Sequence, residues 1–217
     1  MTYGNMGCVY EKLGKFEKAL EMHQKDLEIK LQAVGQHHVS SATTQNNIGE
    51  VYRNQGKYTE ALQMYELCLA TFEKCLGPDH FNVASMPLNN MALVYDALGQ
   101  YEKALECHER ALTIKIKTVG QHHVSVAATL KNMGVVEDTL GNFEKALELY
   151  QKALDIEQKC LGLDHVSVAD SLFNMSIIYD NLGDKVKGLE LTRKAHSICV
   201  TALGHDHPKT KNYARFI

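Results

Sequence analysis

The amino-acid sequence predicts an all-α fold built from a tandem array of helix pairs, and two observations support this prediction. Glycines recur in two series, with successive members 42 or 43 positions apart and a constant offset of 21 between the series. Proline occurs only 3 times in 217 residues, which favours helices joined by short connections. The first series is Gly14, Gly56, Gly99, Gly141 and Gly183, and the second is Gly35, Gly77, Gly120, Gly162 and Gly204.

The sequence pattern of each repeat predicts two helices. From Tyr58 to Leu76, apolar residues are spaced by three and four, which is the period of an amphipathic helix. The glycine after this helix is expected to end it in a left-handed C′ conformation. A polar residue five positions later is expected to be the N-cap of the next repeat's first helix. These expected N-caps are Ser40, Asn82, Ser125 and Ser167.

A small residue near the middle of each first helix is expected to let the two helices of a repeat approach closely. These small residues are Gly49, Ala92, Gly134 and Ser176. Around them the chain resembles the tetratricopeptide repeat family, in which a small residue, an aromatic, glycine, an aromatic, alanine and an aromatic recur at fixed offsets. The second repeat carries this order as Gly49, Tyr52, Gly56, Tyr58, Ala61, Tyr65 and Cys68.

The 42-residue period, with "LG-x-DH" between repeats, is similar to the repeats of kinesin light chain and nephrocystin-type proteins. The resemblance covers essentially the whole chain. It implies a right-handed superhelical solenoid of antiparallel helix pairs, with the first helices lining a concave groove. Glu137 departs from the pattern, because the other repeats carry a tyrosine there, and Lys185 and Gly188 depart from it in the last full repeat.

We expect a single repeat array over residues 1–217. Its repeats are approximately 1–35, with a truncated first helix, then 36–77, 78–120, 121–162 and 163–204, followed by a partial helix over 205–217. Because solenoids are normally capped by polar terminal helices, these incomplete ends predict a segment of a longer array. End-to-end self-association through the truncated terminal repeats is one interaction that they would permit.

The third repeat carries one extra residue, within "NVASMPLNNM". Pro87 lies where the other repeats have a helix interior, and there it removes a hydrogen bond and clashes with the preceding turn. We therefore predict a kink or a π-bulge near Met86 and Pro87, or a late helix start with Pro87 in its first turn. A tolerated insertion and a change in the shape of the groove both remain open as interpretations.

Composition and motifs exclude several classes of function. The net charge of −3 argues against nucleic acid and anionic membrane surfaces as partners. We expect no signal peptide and no membrane span, and the 6 scattered cysteines, without a Cys-x-x-Cys pair, predict reduced thiols in the cytoplasm. Phosphate-binding, nucleophile and zinc-protease motifs are absent from the sequence, so we expect neither an enzyme nor a cofactor.

An asparagine stands two residues before the small residue in all five repeats, although asparagine is a poor helix former. A ladder of amides can bind the backbone of an extended peptide, and the family resemblance implies this role in the groove. The alternative is that each amide hydrogen-bonds a neighbouring helix and orders the stack. The column consists of Asn5, Asn47, Asn90, Asn132 and Asn174.

Two neighbouring columns complete the predicted peptide site. The column before the asparagines contributes Asn46, Asn89 and Lys131. The column four residues after the small residue is mostly acidic and favours a ligand with Lys or Arg beside aliphatic residues, unless it is only a solvated helix face. Its members are Glu11, Arg53, Asp96, Asp138 and Asp180, of which the last four are included in the predicted site.

The hexapeptide GQHHVS occurs twice, at 35–40 and 120–125, and its paired histidines raise the question of a metal site. One histidine recurs three residues after the terminal glycine of every repeat. Helices pack about 10 Å apart, whereas zinc needs its ligand atoms within about 2.1 Å, so this column cannot converge on one ion. We expect instead that His38 and its counterparts His80, His123, His165 and His207 fix the turn through a backbone hydrogen bond. Only His205–His207 remains open as an adventitious metal site.

Two functional hypotheses follow. The first is a scaffold that binds an extended peptide segment of a partner protein in the concave groove. The second is a structural or oligomerising solenoid segment of a larger signalling or motor-adaptor protein, without peptide binding in the groove.

Overall fold

The structure, a computed structural model, describes residues 2–35 and 37–217. Met1 and Gln36, which belong to the first two predicted repeats, lie outside these residues. Throughout the described chain the regular elements are helices, and no strand occurs there. The chain divides into two compact parts, Met1–Thr118 and Val119–Ile217, called here the N-terminal half and the C-terminal half.

The N-terminal half contains two complete helix pairs and the elements of a third. Helix α1 packs against α2, α3 against α4, and α2 against α3. Ala111 and Ile114 of α7 share a core cluster with Val83 and Leu88. The elements are α1 (Tyr3–Lys12), α2 (Phe16–Val34), α3 (Val39–Asn54), α4 (Tyr58–Leu76), α5 (Phe81–Val83), a π-helical segment (Ala84–Leu88), α6 (Asn89–Ala97) and α7 (Tyr101–Val119).

The C-terminal half contains two helix pairs and a short last helix. Helices α8 and α9 pack together, as do α10 and α11, and α9 packs against α10. Phe173 of α10 stacks on Tyr213 of α12 with a centroid separation of 4.2 Å. The elements are α8 (Val124–Thr139), α9 (Phe143–Leu161), α10 (Val166–Asn181), α11 (Lys185–Leu203) and α12 (Pro208–Ala214). The predicted all-α fold of repeated helix pairs is confirmed.

The two glycine series end helices in different ways. After α1, the N–H of Lys15 bonds the carbonyl of Tyr10 and that of Gly14 bonds Glu11, which is a Schellman motif. At Gly77, after α4, φ is 90° and ψ is 156°. The expected left-handed conformation is therefore wrong for this second series, because the chain leaves the helix in the extended positive-φ region that only glycine adopts readily.

The expected serine N-caps are also wrong. The N-cap of α3 is His38, whose Nδ1 accepts the backbone N–H of Ser40 at 3.2 Å. The later repeats use their counterpart histidines in the same way, at 3.1–3.2 Å, whereas the N-cap of α1 is Thr2. An imidazole nitrogen thus replaces the usual hydroxyl or carboxylate oxygen, and the predicted backbone hydrogen bond of this histidine column is confirmed.

Two local predictions about the first helices hold. Pro87 lies inside the π-helical segment, where the wider turn absorbs the extra residue of the third repeat. A Cβ atom added at Gly49 would lie 2.6 Å from the Tyr65 ring, and one at Gly134 would lie 3.0 Å from Tyr150. The small residues therefore permit close contact between the helices of a repeat.

Candidate functional site

The asparagine column lies on consecutive first helices. Asn5, Asn47 and Asn90 belong to α1, α3 and α6 in the N-terminal half, and Asn132 and Asn174 belong to α8 and α10 in the C-terminal half. We call the helix surface around these residues the asparagine face of each half. Asn5 is exposed and the other four are partly buried, so all five remain partly accessible to solvent.

Asn90 ties two first helices together. Its Nδ2 donates to Oδ1 of Asn46 at 2.9 Å and to Oε1 of Glu50 at 3.3 Å. Asn46 is itself buried and donates to the same Glu50 oxygen at 3.3 Å. At Asn90, the interpretation in which the amide orders the helix stack is therefore the one that the structure shows.

Asn174 makes a different contact between helices. Its side chain lies beside the hydroxyl of Tyr150, the ring that packs against Gly134. Burial and the nearby Asp138 raise the pKa of that hydroxyl, so it stays protonated. Asn174, like Asn90, is thus committed to packing within the protein.

The remaining asparagines are available to a ligand. Within the part of the chain that the structure describes, the side chains of Asn5, Asn47 and Asn132 form no hydrogen bond. Asn47 and Asn132 lie in long helices, where their amides are held on a fixed backbone. The predicted column therefore separates into two members that pack and three that offer free donors and acceptors.

The column before the asparagines points to neighbouring helices. Lys131 forms an ion pair of 2.6 Å with the buried Glu157 and donates to Oγ of Ser167 at 3.0 Å. Asn89 donates to the carbonyl of Ser85 and accepts from Lys115, both at 3.4 Å. Since these side chains are already engaged, they support the face rather than offer free groups on it.

The four charged side chains of the mostly acidic column differ in their exposure to solvent. Arg53, Asp96 and Asp138 are partly buried, and Asp180 is exposed at the end of α10, close to Gly188. Burial raises the pKa of Asp138. These side chains carry the charge on the face, and no ion pair involves any of them among the described residues.

Sequence reasoning left Glu50 and Tyr65 out of the site. Glu50 is the single charged residue in a column that otherwise contains Cys8, Leu93, Val135 and Ile177, and this isolation is a signal that the sequence did offer. In the structure Glu50 accepts from two asparagine amides. Tyr65 is fully buried, and its hydroxyl lies beside Arg53, a contact between helices that no sequence pattern reveals.

The described residues contain neither a cluster that could hold a metal ion nor a helix that could span a membrane. In the described chain, no group of three or more His, Cys, Asp or Glu side chains is arranged to hold a metal ion. The recurring histidines are N-caps instead, and the second GQHHVS segment receives a hydrogen bond from the thiol of Cys160 to the carbonyl of His122, at 2.9 Å. No described helix combines the length and apolar character needed to cross a bilayer.

Comparison with solved structures identifies the same architecture elsewhere. The bacterial BtubC (BKLC) from P. vanneervenii aligns with a TM-score of 0.81 and 22% identity, over 93% of this chain and 80% of that one. The nearly identical TPR-like repeats of a putative kinesin light chain from Podosopora anserina align with a TM-score of 0.77 and 23% identity, over 93% and 95%. YrrB, described as a TPR protein with an unusual peptide-binding site, aligns with a TM-score of 0.57 and 20% identity, over 98% and 90%. At these identities the likeness concerns the fold.

Family models settle the classification. No curated protein sequence matches the chain. Models described as tetratricopeptide repeat match residues 1–40 and three overlapping stretches, 40–117, 83–159 and 125–187. Together these matches extend over most of the sequence, and they agree with the repeated helix pairs, the small residues at the helix contacts and the glycine stops. The chain belongs to the tetratricopeptide repeat family.

Proposed function

We propose that this protein is a non-catalytic scaffold that binds an extended peptide segment of a partner protein along its asparagine faces. The observation that carries the proposal is the pair Asn47 and Asn132, whose amides are unbonded within the described chain although each is fixed on a long helix. An amide offers both donors and an acceptor, which is what an extended peptide backbone requires. The peptide-binding site described for YrrB supports the same use of the fold.

A peptide array tests the proposal. The 217-residue chain is applied to immobilised peptides of varied sequence, and the peptides retained are measured against Asn47→Ala and Asn132→Ala. We expect both variants to lose affinity while their melting temperatures stay unchanged, because neither amide makes a hydrogen bond within the described chain. Gln63→Ala removes an exposed amide from the second helix α4 and is the matched control. Retention of binding together with a large fall in melting temperature would exclude a ligand role for the asparagines.

End-to-end self-association is a second candidate, favoured by one end of the C-terminal half. Val186 of α11 is 81% exposed, and α12 is only 7 residues long. This apolar side chain lies on the surface of the last long helix, where a second copy of the chain would cover it. Sedimentation at increasing concentration tests this candidate, with Val186→Glu expected to remove any association. A chain that stays monomeric at all concentrations would exclude it.

A further inference from the structure

The solvent-facing side of α11 differs in charge from that of the other second helices. We call the exposed residues on this side of a second helix its outer stripe. In α2, α4, α7 and α9 the five positions of the stripe have a net negative charge, whereas in α11 their net charge is positive. The outer stripe of α11 consists of Val186, Glu190, Arg193, Lys194 and Ser197.

The stripe of α11 combines unpaired positive charge with an exposed apolar side chain. Lys194 pairs with Glu190 at 2.7 Å, but Arg193 and the neighbouring exposed Lys185 form no ion pair in the described chain. Val186 is 81% exposed and stands where α2, α7 and α9 each have a glutamate. These side chains surround an open surface hollow of about 530 Å³. The described chain therefore leaves both the cations and the valine uncovered.

The stripe of α9 has the opposite charge. Glu144 and Glu148 are exposed and form no ion pair among the described residues. Asp155 accepts only from the neutral amide of Gln151, at 2.8 Å. Lys152 is the single cation at the five positions, so an excess of carboxylates remains. One half of the molecule thus presents a basic stripe and an acidic stripe on consecutive second helices.

The positions of the two stripes suit a contact between identical chains. Helices α9 and α11 are equivalent elements of successive repeats and both pack against α10, so their stripes face the same side of the C-terminal half. A two-fold axis would place the stripe of α11 on the stripe of α9 in a second copy, and the reverse contact would form at the same time. A head-to-tail arrangement would leave one basic and one acidic stripe uncovered at its ends.

We propose that the outer stripes of α9 and α11 form a dimer surface whose partner is a second copy of this chain. This inference rests on self-association, the second candidate function above, and assigns the surface that mediates it. Lys185 and Arg193 of one copy meet Glu144 and Glu148 of the other, and Val186 is covered by the same contact. Attraction between oppositely charged surfaces also speeds their encounter and decreases as salt screens it.

Sedimentation equilibrium of the full chain and of charge-reversed variants tests this surface. We expect the wild-type mass to rise with concentration to that of a dimer and no further. Lys185→Glu with Arg193→Glu should weaken the dimer about tenfold or more, and so should Glu144→Lys with Glu148→Lys, because each places like charges together. All four substitutions in one chain exchange the charges of the two stripes and should restore the dimer. Salt at about 0.5 M should weaken the wild-type dimer.

The control and the outcomes separate this surface from self-association in general. Lys15→Glu with Lys74→Glu makes the same change in net charge at exposed positions of the N-terminal half and should leave the dimer unchanged. If the wild-type chain dimerises but the charge reversals have no effect, or the fourfold variant fails to recover, the surface is wrong while self-association stands. A wild-type chain that stays monomeric would overturn both and leave peptide binding untouched.

The mass of the largest species tests the two-fold arrangement itself. Species that grow beyond a dimer would show a head-to-tail contact and overturn the closed pair of stripes. All the substituted side chains are exposed, so we expect unchanged melting temperatures in every variant. A change in mass therefore reports on the contact between copies and not on the fold of either copy.

Discussion

The two halves of the molecule place the same tyrosine against the same glycine, yet different side chains surround the two hydroxyls. Arg53, Glu50 and Glu11 lie near the hydroxyl of Tyr65 in the N-terminal half, whereas Asp138 and Asn174 lie near that of Tyr150 in the C-terminal half. The difference follows from two columns of the first helices, in which Glu50 and Arg53 correspond to Val135 and Asp138. The same buried ring therefore lies beside a different set of charges in each half.

A second comparison concerns one position of the second helices, at which the repeats carry different kinds of side chain. Phe72 occupies it in α4 and packs in an apolar cluster with Val83 and Leu88. The same position is Lys115 in α7 and Glu157 in α9, and both are buried. The repeats therefore use apolar packing and buried charge interchangeably at one structural position, and the two solutions should respond differently to mutation and pH.

The largest expected effect is at Glu157. This carboxylate accepts from Ser171 at 2.6 Å and Ser167 at 2.8 Å, and pairs with Lys131 at 2.6 Å. Glu157→Ala leaves the ammonium of Lys131 without its partner in a mostly buried site, and we expect a loss of about 3–5 kcal/mol in the free energy of unfolding, measured with urea.

A double variant compares this buried ion pair with the apolar packing at Phe72. Replacing both charges, as Lys131→Met with Glu157→Met, removes the unpaired ammonium as well as the carboxylate. We expect the double variant to recover most of the stability lost by Glu157→Ala, because apolar replacements of buried ion pairs are often nearly neutral. An equally large loss in the double variant would mean that the ion pair itself provides the stability.

The next effect is a pH dependence confined to the N-terminal half. Burial lowers the pKa of Lys115 from 10.5 to about 8. Between pH 8 and 10.5 the unfolded state therefore binds the proton that the folded state has released, so stability rises with pH across this window. We expect a gain of about 3 kcal/mol on passing from pH 7.5 to pH 10.5, in urea unfolding of the full chain.

Lys115→Met is the matched variant for this prediction, because it removes the titrating group from the same buried position. The variant should be more stable than wild type at pH 7.5 and should lose the gain at alkaline pH. An undiminished gain in the variant would assign the effect to other groups.

A histidine of the same helix predicts a loss of stability in acid. Burial, and then the charge of Lys115, lower the pKa of His108 from 6.5 to about 4. Between these pH values the unfolded state binds a proton that the folded state does not, so stability should fall as the pH drops from 6.5 to 4.

The sequence predicted the repeats, helix pairs, helix contacts at small residues and disturbance at Pro87 because each depends on periodic or local chemistry. The N-caps were misassigned because the histidine two residues before each expected N-cap takes that role instead. Nδ1 of His38, for example, accepts the backbone N–H of Ser40. Sequence reasoning treated the asparagines as one column, although their partners are set by residues of other helices. That Asn90 donates to Asn46 and Glu50 depends on packing between repeats, which periodicity alone does not contain.

A smaller effect tests the comparison of the two tyrosines directly. Tyr65→Phe removes a buried hydroxyl that lies beside Arg53, so we expect a loss of about 1 kcal/mol in urea unfolding. Tyr150→Phe removes a buried hydroxyl that lies beside Asn174, so we expect a loss of the same size. Unchanged stability in one variant would show that its hydroxyl forms no hydrogen bond in the folded protein.

The smallest expected effect concerns the contact between the end of a first helix and the start of the next helix. In the N-terminal half this contact is a lysine over a tyrosine ring, as with Lys103 and Tyr95 at 5.4 Å. The C-terminal half has this contact between Lys187 and Tyr179, at 4.1 Å, but its other lysine at this position, Lys145, pairs with Glu137, a buried carboxylate. Lys103→Met should cost about 0.5 kcal/mol in urea unfolding, the value of an exposed cation–π contact, and Lys103→Arg should keep it. A loss in Lys103→Arg as large as in Lys103→Met would refute a cation–π origin, since guanidinium stacks on aromatic rings at least as well as ammonium.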